Sequence, residues 1–491
     1  MYKNLFIVQP VHANPKVDAG EIVVGAMPGD EVTLKRALTA KHLIMLGIGA
    51  VIGAGIFVLT GQAAAVHAGP AVVLSFVFAG IACAFAGLCY AEFASMLPVS
   101  GSAYSYAYAT LGELAAWFIG WMLVLEYLFA ASTVAVGWSG YLQSFLISMG
   151  MGLPDYLASA PLTLVDGSFQ TTGALINLPA VLIVAAIGTL CYVGITQSAF
   201  VNSIAVAIKV TVILMFVAFS LKYVNAQNWV PFIPPAQGDG HFGWDGVFRG
   251  ASVVFFAYIG FDAVSTAAQE CVNPQKDMPI GILGSLVICT ILYIIVAGVL
   301  TGMMPYLQLN TSHPVATALE AYPSLAWLKV VVEIGAIAGL SSVILVMMMG
   351  QPRIFYTMSR DGLLPPLFGK VHPKFQTPYV GTVIVAIVAA ILAGLFPIGV
   401  LGDLVSMGTL VAFATVSIGV LILRRTRPDL VRPFRVPMAW LICPLGALLC
   451  FGLFLRTFVD NWLWMSGWIV IGAVIYFSYG YSRSKLRKTR A

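Results

Sequence analysis

Residues 47–57 read Gly-Ile-Gly-Ala-Val-Ile-Gly-Ala-Gly-Ile-Phe. Glycine crowds a segment that is otherwise apolar, and no Asp, Glu, Lys or Arg occurs from His42 to Val66. That run is long enough for a membrane-crossing helix, which needs roughly 20 apolar residues. Yet Gly costs about 1 kcal/mol relative to Ala inside a helix, so a helix that only had to span would not gather it. Gly53 lies roughly 18 Å along a helix from Lys41 at about 1.5 Å per residue, near mid-bilayer. Two readings follow. Small residues let two helices pack closely. Alternatively the helix is broken, and its freed N–H and C=O groups face a polar ligand, which at this depth requires cover by protein or by a watery cavity.

The rest of the chain sets that stretch in a membrane. Of 491 residues, 60% are hydrophobic and 9% charged, against about 25% charged in an average soluble protein. Twelve apolar spans are expected: 41–66, 70–96, 111–142, 177–194, 199–221, 245–269, 279–304, 323–358, 378–397, 403–423, 437–456 and 461–481. The fourth and fifth are divided at Gly194-Ile195-Thr196-Gln197. Residues 1–34 lack a sustained apolar run, so the first span is expected to be the targeting element. Residues 359–377 form a loop with room for a short interfacial helix.

Charge then gives the sidedness. Of 25 Lys and Arg, Lys222, Arg249, Lys329 and Arg456 fall at one set of ends and Lys209 inside a span. All others share a side with the N-terminus, including Arg424, Arg425, Arg427, Arg432 and Arg435 in one loop and five more after Tyr481. This predicts both termini in the cytoplasm. The basic patches are read as topology signals, and no nucleic acid is expected as a partner. Seven cysteines in or beside apolar spans, without C-x-x-C, suggest neither disulfides nor a metal site. The six histidines show no ligand spacing, and no Walker A motif occurs. No cofactor, no metal and no catalysis are expected.

The sixth span repeats the design of the first. Phe255-Phe256-Ala257-Tyr258-Ile259-Gly260-Phe261-Asp262 puts a small residue, a glycine and an acid in mid-segment. The first span enters from inside and the sixth from outside. Interrupted helices at matching positions of two oppositely oriented halves point to an inverted-repeat transporter.

Five motifs carry a family resemblance: Gly49-Ala50-Val51-Ile52-Gly53-Ala54-Gly55-Ile56-Phe57; Tyr90-Ala91-Glu92-Phe93 through Pro98-Val99-Ser100-Gly101-Ser102-Ala103-Tyr104; Phe256-Ala257-Tyr258-Ile259-Gly260-Phe261-Asp262; Asn273-Pro274 through Asp277-Met278-Pro279; and Ser359-Arg360-Asp361-Gly362-Leu363-Leu364-Pro365. In this order and sidedness the chain resembles the amino acid–polyamine–organocation superfamily, in its cationic-amino-acid-transporter-like branch. The resemblance implies an all-α integral membrane protein of LeuT-type fold. Twelve transmembrane helices would be arranged as a 5+5 inverted repeat plus two peripheral helices. Residues 1–40 would be a cytoplasmic tail, 41–423 the core, 424–481 the last two helices and 482–491 a basic tail. It also implies proton-coupled import of L-amino acids across the cell membrane, with protons and the lipid bilayer as the other partners.

Site residues follow from both lines. Ala54, Gly55 and Ile56 open a half-helix whose N–H groups suit a carboxylate, with Gly53 beside them. The carbonyls of Ile52, Phe256, Ala257 and Ile259 would accept from an ammonium. Phe256, Tyr258 and one of Met347-Met348-Met349, taken as Met347, are pocket walls or else ordinary packing. Two intramembrane ionisable residues are proton-coupling candidates. Glu126 is either functional or a structural, hydrogen-bonded acid. Lys209 lies roughly 15 Å from the inner end of its span, too deep to snorkel, and desolvation makes such an amine able to exchange protons. The resemblance implies the same role, placing Lys209 where sodium-coupled members of the fold bind an ion. Its ammonium would bridge span 1 carbonyls near Gly49 or Ile52 to Ser341 or Ser342. Asp262 is expected to cap the inner half-helix, Glu333 and Lys329 to form a helix-surface pair, and Glu92 and Glu113 to join networks with nearby arginines.

The leading reading is a secondary active transporter for small and medium neutral L-amino acids. An exchanger or a cationic amino acid transporter is the alternative in the same class. A receptor would need a cytoplasmic domain larger than the 482–491 tail. No obligate protein partner is evident, since no cysteine falls in an outer loop.

Overall fold

The computed structural model describes residues 12–13, 22–23, 38–97, 101–165, 168–194, 199–238, 240–268, 271–375 and 377–490. The expected N-terminal tail lies mostly outside them, as do Pro98-Val99-Ser100 of the second motif and Ile195-Thr196-Gln197 of the expected division. Helices dominate. Two small antiparallel pairs depart from an all-α chain, His12–Ala13 with Ile22–Val23 and Leu162–Val165 with Ser168–Thr171.

Eight helical stretches of the described residues are long and apolar enough to cross a membrane, and three apolar helices are shorter. The first expected span is among the short ones because it is broken. Helix α1, Ala40–Val51, stops at Ile52, and helix α2 runs over 55–68. Gly69 (φ +60°) and Pro70 then turn the chain into α3, Val72–Met96. Only a residue without Cβ takes that φ cheaply, and Pro can follow because the first N–H groups of a helix have no partner. Helix α4, Ser102–Thr110, leads to the long α5, Glu113–Ser148, which widens to a π-turn at Leu125–Phe129. Leu178–Val193 and Tyr379–Leu395 are the other two short helices.

Helix α6, Ala199–Ser220, carries Lys209. Helix α7, Gly243–Val254, tightens at Phe255–Tyr258 and breaks, and a single turn, Ala263–Thr266, resumes beyond. Helices α8, Pro274–Met303, α9, Ala326–Arg360, and α10, Ile398–Thr426, complete the packing around the breaks. In Ala439–Ile475 the helix loses helical geometry at Asn461, whose amide donates to Asp403 at 3.0 Å. This kink falls at the boundary expected between the last two spans. The bundle core is a continuous apolar cluster lined by α1, α3, α5, α8, α9 and α10.

The end of the bundle that carries the basic loop holds several acid–base contacts. Glu92, 1% exposed, accepts from Arg424 Nε at 3.0 Å and from the Val436 N–H at 2.8 Å. The loop after α9 contains a short 3-10 turn, Pro366–Gly369. At its start Asp361 accepts from the Tyr104 hydroxyl at 2.6 Å. Burial pushes the Asp361 carboxyl up to about 6, against the Tyr104, Lys485 and Arg360 groups that draw it down. A carboxyl raised above its ordinary 3.8 stabilises the fold fully below that value, and the contribution is lost as pH rises through about 6. The stability of the protein relative to Asp361→Asn is therefore expected to fall between about pH 4 and about pH 7. A pH-independent difference in unfolding temperature would contradict this.

Candidate functional site: two broken helices around a closed pocket

The two breaks meet side by side. Ile52 leaves the helix at φ −73°, ψ 101°, and Ile259 does so at φ −62°, ψ 134°. Gly260 follows at φ +115°, and a Cβ there would sit 2.9 Å from the backbone of Ala50. A Cβ on Gly55 would come within 2.3 Å of Ala257 Cα. Glycine at both places thus permits backbone-to-backbone approach that no other residue allows.

Tyr293 of α8 joins the breaks. Its hydroxyl reaches the carbonyls of Ala257 at 2.6 Å and Val51 at 2.9 Å. A phenol has one proton, so the two carbonyls share it. Nothing in the sequence singled this residue out, although a tyrosine in mid-span must find a polar partner.

A small closed cavity lies against the breaks. Gly53, Ala54, Gly55, Phe256, Ile259 and Met347 line it together, joined by residues that were not foreseen, chiefly Ala130 and Val134 of α5 and Val343 of α9. Every lining residue is buried. No charged side chain lines it. The other expected site residues stand around it. Ile56 faces a second, wholly apolar cavity with Phe57, Val212 and Phe216. Ala257 provides the backbone surface against Gly55. Tyr258 turns away and donates to the Phe76 carbonyl at 2.9 Å. The Phe256 carbonyl accepts from the Ile259 N–H at 3.1 Å.

Lys209 is 1% exposed. Its Nζ donates to the Gly49 carbonyl at 2.8 Å and the Ile52 carbonyl at 3.2 Å, the last carbonyls before the first break. The expected hydroxyl bridge to α9 is absent. Ser341 accepts from Trp138 Nε1 and donates to Ile337, and Ser342 donates to Gly339. Contact with α9 is made instead by the lysine stem, which lies so close to Gly339 that a Cβ there would be 3.1 Å from Lys209 Cγ. Among the described residues the amine has no carboxylate partner.

Glu126 is elsewhere. It sits in the π-turn of α5, fully buried, facing Asp262 and Thr409. Gly408 of α10 allows the approach, since a Cβ there would be 2.7 Å from the Met122 carbonyl. Neither Glu126 oxygen has a well-formed hydrogen bond in the structure, nor has Asp262 Oδ1, while Oδ2 accepts from Tyr127 at 2.9 Å. The expected side-chain cap by Asp262 is not made; the carboxyl points to Tyr127 and Glu126 instead. The Lys329–Glu333 pair also differs from expectation. Glu333 is wholly buried and accepts from Ser144, while Lys329 is closer to Glu320, at 2.6 Å, than to Glu333, at 3.5 Å. Helical spacing shows that two residues are neighbours but not which other helix covers them.

What the arrangement can do is bounded by its groups. It offers backbone N–H donors, backbone carbonyls and a shape, beside one amine and one pair of acids. It contains no nucleophile set against a base, and no group of three or more possible metal ligands occurs among the described residues.

Comparison with known proteins agrees. The family model described as amino acid permease matches residues 38–478. The chain is 48% identical to the branched-chain amino acid permease BcaP of Bacillus subtilis, over 94% of this chain and 97% of that one. It is 46% identical to the methylthioribose transporter of the same organism, over 93% and 96%. It is 40% identical to the vacuolar cationic amino acid transporter 2 of Arabidopsis thaliana, over 81% of this chain and 61% of that longer one. With the family model spanning nearly all of the described membrane helices, the chain belongs to the amino acid permease family.

Proposed function

We propose that this permease is a secondary active importer of small and medium neutral L-amino acids, driven by proton symport through alternating access. In this reading the chain crosses the cell membrane twelve times as a 5+5 inverted repeat plus two peripheral helices, with the basic end and both termini in the cytoplasm. The observation that carries the coupling is Lys209, an amine that among the described residues is buried without a counter-charge and bonded to the carbonyls at the first break. Such an amine holds or releases a proton with only neutral partners to rearrange. Bound, the proton makes the tie between α6 and α1 a charge-assisted one; released, it leaves a neutral amine that still donates but holds the last carbonyls of α1 more weakly.

The substrate's carboxylate is assigned to the first N–H groups of the 55–68 half-helix, which lack intrahelical partners. Its ammonium is assigned to carbonyls at the breaks. The side chain would enter the apolar lining of Ala130, Val134, Val343 and Met347. A cationic side chain there would be buried without a partner, which is costly. In competition assays with labelled substrate, Ala, Ser, Val and Leu are expected to displace far better than Arg or Lys. Arg as the best competitor would overturn the assignment.

A second reading has one specific support. The methylthioribose transporter is nearly as similar to this chain as the branched-chain permease, and an apolar pocket suits a methylthio group. Uptake into proteoliposomes tests both readings. Labelled amino acids and methylthioribose are supplied with and without an inward pH gradient, in sodium and in potassium. Gradient-stimulated leucine or alanine uptake without sodium supports the first; uptake of methylthioribose alone would replace it.

A further inference from the structure

The last turn of the chain is built into the basic end rather than left on its surface. Glu113, the first residue of α5, is 0% exposed. Its carboxylate collects donors from three places. Oε1 accepts from Tyr476 at 3.0 Å and from Arg487 Nε at 2.9 Å, and Oε2 accepts from Ser484 and from Tyr108 at 3.4 Å. Arg487 also donates to the Tyr476 hydroxyl at 2.8 Å and lies 3.9 Å over the Tyr481 ring. The main chain is seated as well. The Lys485 N–H donates to the Asp361 carbonyl at 3.0 Å. Gly362 has φ +84°, and a Cβ there would be 2.5 Å from the Arg483 carbonyl. The Asp361-Gly362 turn is therefore shaped to receive residues 483–485.

This seat connects to the second break. Tyr104 and Tyr108, one turn apart on α4, bond to Asp361 and Glu113. Ser102, at the start of α4, accepts from Ser265 at 3.3 Å. Ser265 lies in the single turn that resumes after the break. Tail, α4 and the segment beyond the break thus form one connected set of contacts.

We infer that residues 484–490 are an intramolecular latch, anchored on Glu113, that holds the cytoplasmic side of the permease closed through α4. A buried carboxylate that loses one donor keeps the cost of its burial, so its contacts form and part together. The latch is then either docked or released, which is the two-state element that gating needs. Glu113 and Arg487 act as positioning residues, since neither touches the pocket. The inference rests on alternating access but not on which substrate or ion is moved.

A reporter at Thr266, half-buried in the turn after the break, tests it. All seven native cysteines are buried, so a Thr266→Cys protein in inside-out membranes has a low background toward an impermeant maleimide. Arg487→Gln is expected to raise the labelling rate at that position roughly threefold to tenfold, the size of one partly exposed charge-assisted contact. Removal of residues 484–491 should do the same. Adding Glu113→Gln to Arg487→Gln should add little, because both break one contact set. Arg487→Lys, which keeps the charge, should restore most of the protection. Wild-type labelling rates in Arg487→Gln and in the shortened chain, with both proteins monodisperse, would overturn the latch. Labelling requires no substrate and no gradient, so this outcome is independent of the uptake experiment.

Discussion

Lys209→Met is expected to reduce pH-gradient-driven accumulation to the level measured without a gradient, while exchange of internal for external substrate partly survives. The methionine keeps the unbranched stem that packs on Gly339 and removes only the amine. What it leaves behind is two buried carbonyls without their donor, at about 1–3 kcal/mol for each group that stays unsatisfied. The protein should fold with lowered stability. Lys209→Ala removes the stem too and adds a cavity cost of about 2–5 kcal/mol, so it is the less interpretable variant. Counterflow into proteoliposomes loaded with unlabelled substrate separates the two functions, since it needs a binding site but no net proton movement. Intact accumulation in Lys209→Met, or a sodium requirement in the wild type, would remove Lys209 from the coupling mechanism.

Gly55→Leu is expected to abolish substrate binding, and Gly55→Ala to impair it severely. A larger residue at Gly55 would crowd the half-helix N–H groups assigned to the carboxylate. The geometry is less permissive still. Even a methyl group at Gly55 would meet the backbone of Ala257 at 2.3 Å, so the two breaks must separate. Forced overpacking of this kind costs about 1–3 kcal/mol and sometimes more, and it moves the carbonyls and N–H groups that define the site. Gly53→Ala is the contrasting case. Its nearest neighbour is a Val343 methyl at 3.1 Å, which a small rotation relieves, so binding should change little. Ligand-induced shifts in unfolding temperature check the order, because a bound amino acid stabilises only a protein that still has the site. Equal binding by Gly55→Ala and wild type would show that the two breaks need not touch for recognition.

How legible each feature was follows from whether its cause is local. The apolar runs, the charge asymmetry and the glycines of 47–55 are local; they determined a helical membrane protein and pointed to an interruption of one helix near its middle, which the packed structure then decided against close packing alone. The second interruption was legible for the same reason, because Gly260 breaks a helix by its own backbone freedom. Lys209 was marked by its depth, with the family resemblance pointing the same way, since a charge in mid-span demands a polar partner wherever the neighbouring helices lie.

What only the tertiary structure decided are the identities of partners contributed by other helices. Tyr293 ties the two breaks from α8, and Val343, Ala130 and Val134 shape the pocket from α9 and α5, yet each reads in sequence as one more apolar or aromatic residue in a span. Gly339 rather than a serine meets the lysine because helix rotation, which no local pattern fixes, sets which face of α9 is presented. The same rotation buries Glu333 and turns Tyr258 from the pocket to Phe76. Glu113 meets Arg487 across 374 positions of sequence. Sequence periodicity says which residues share a face of one helix, and only the packed bundle says what that face meets.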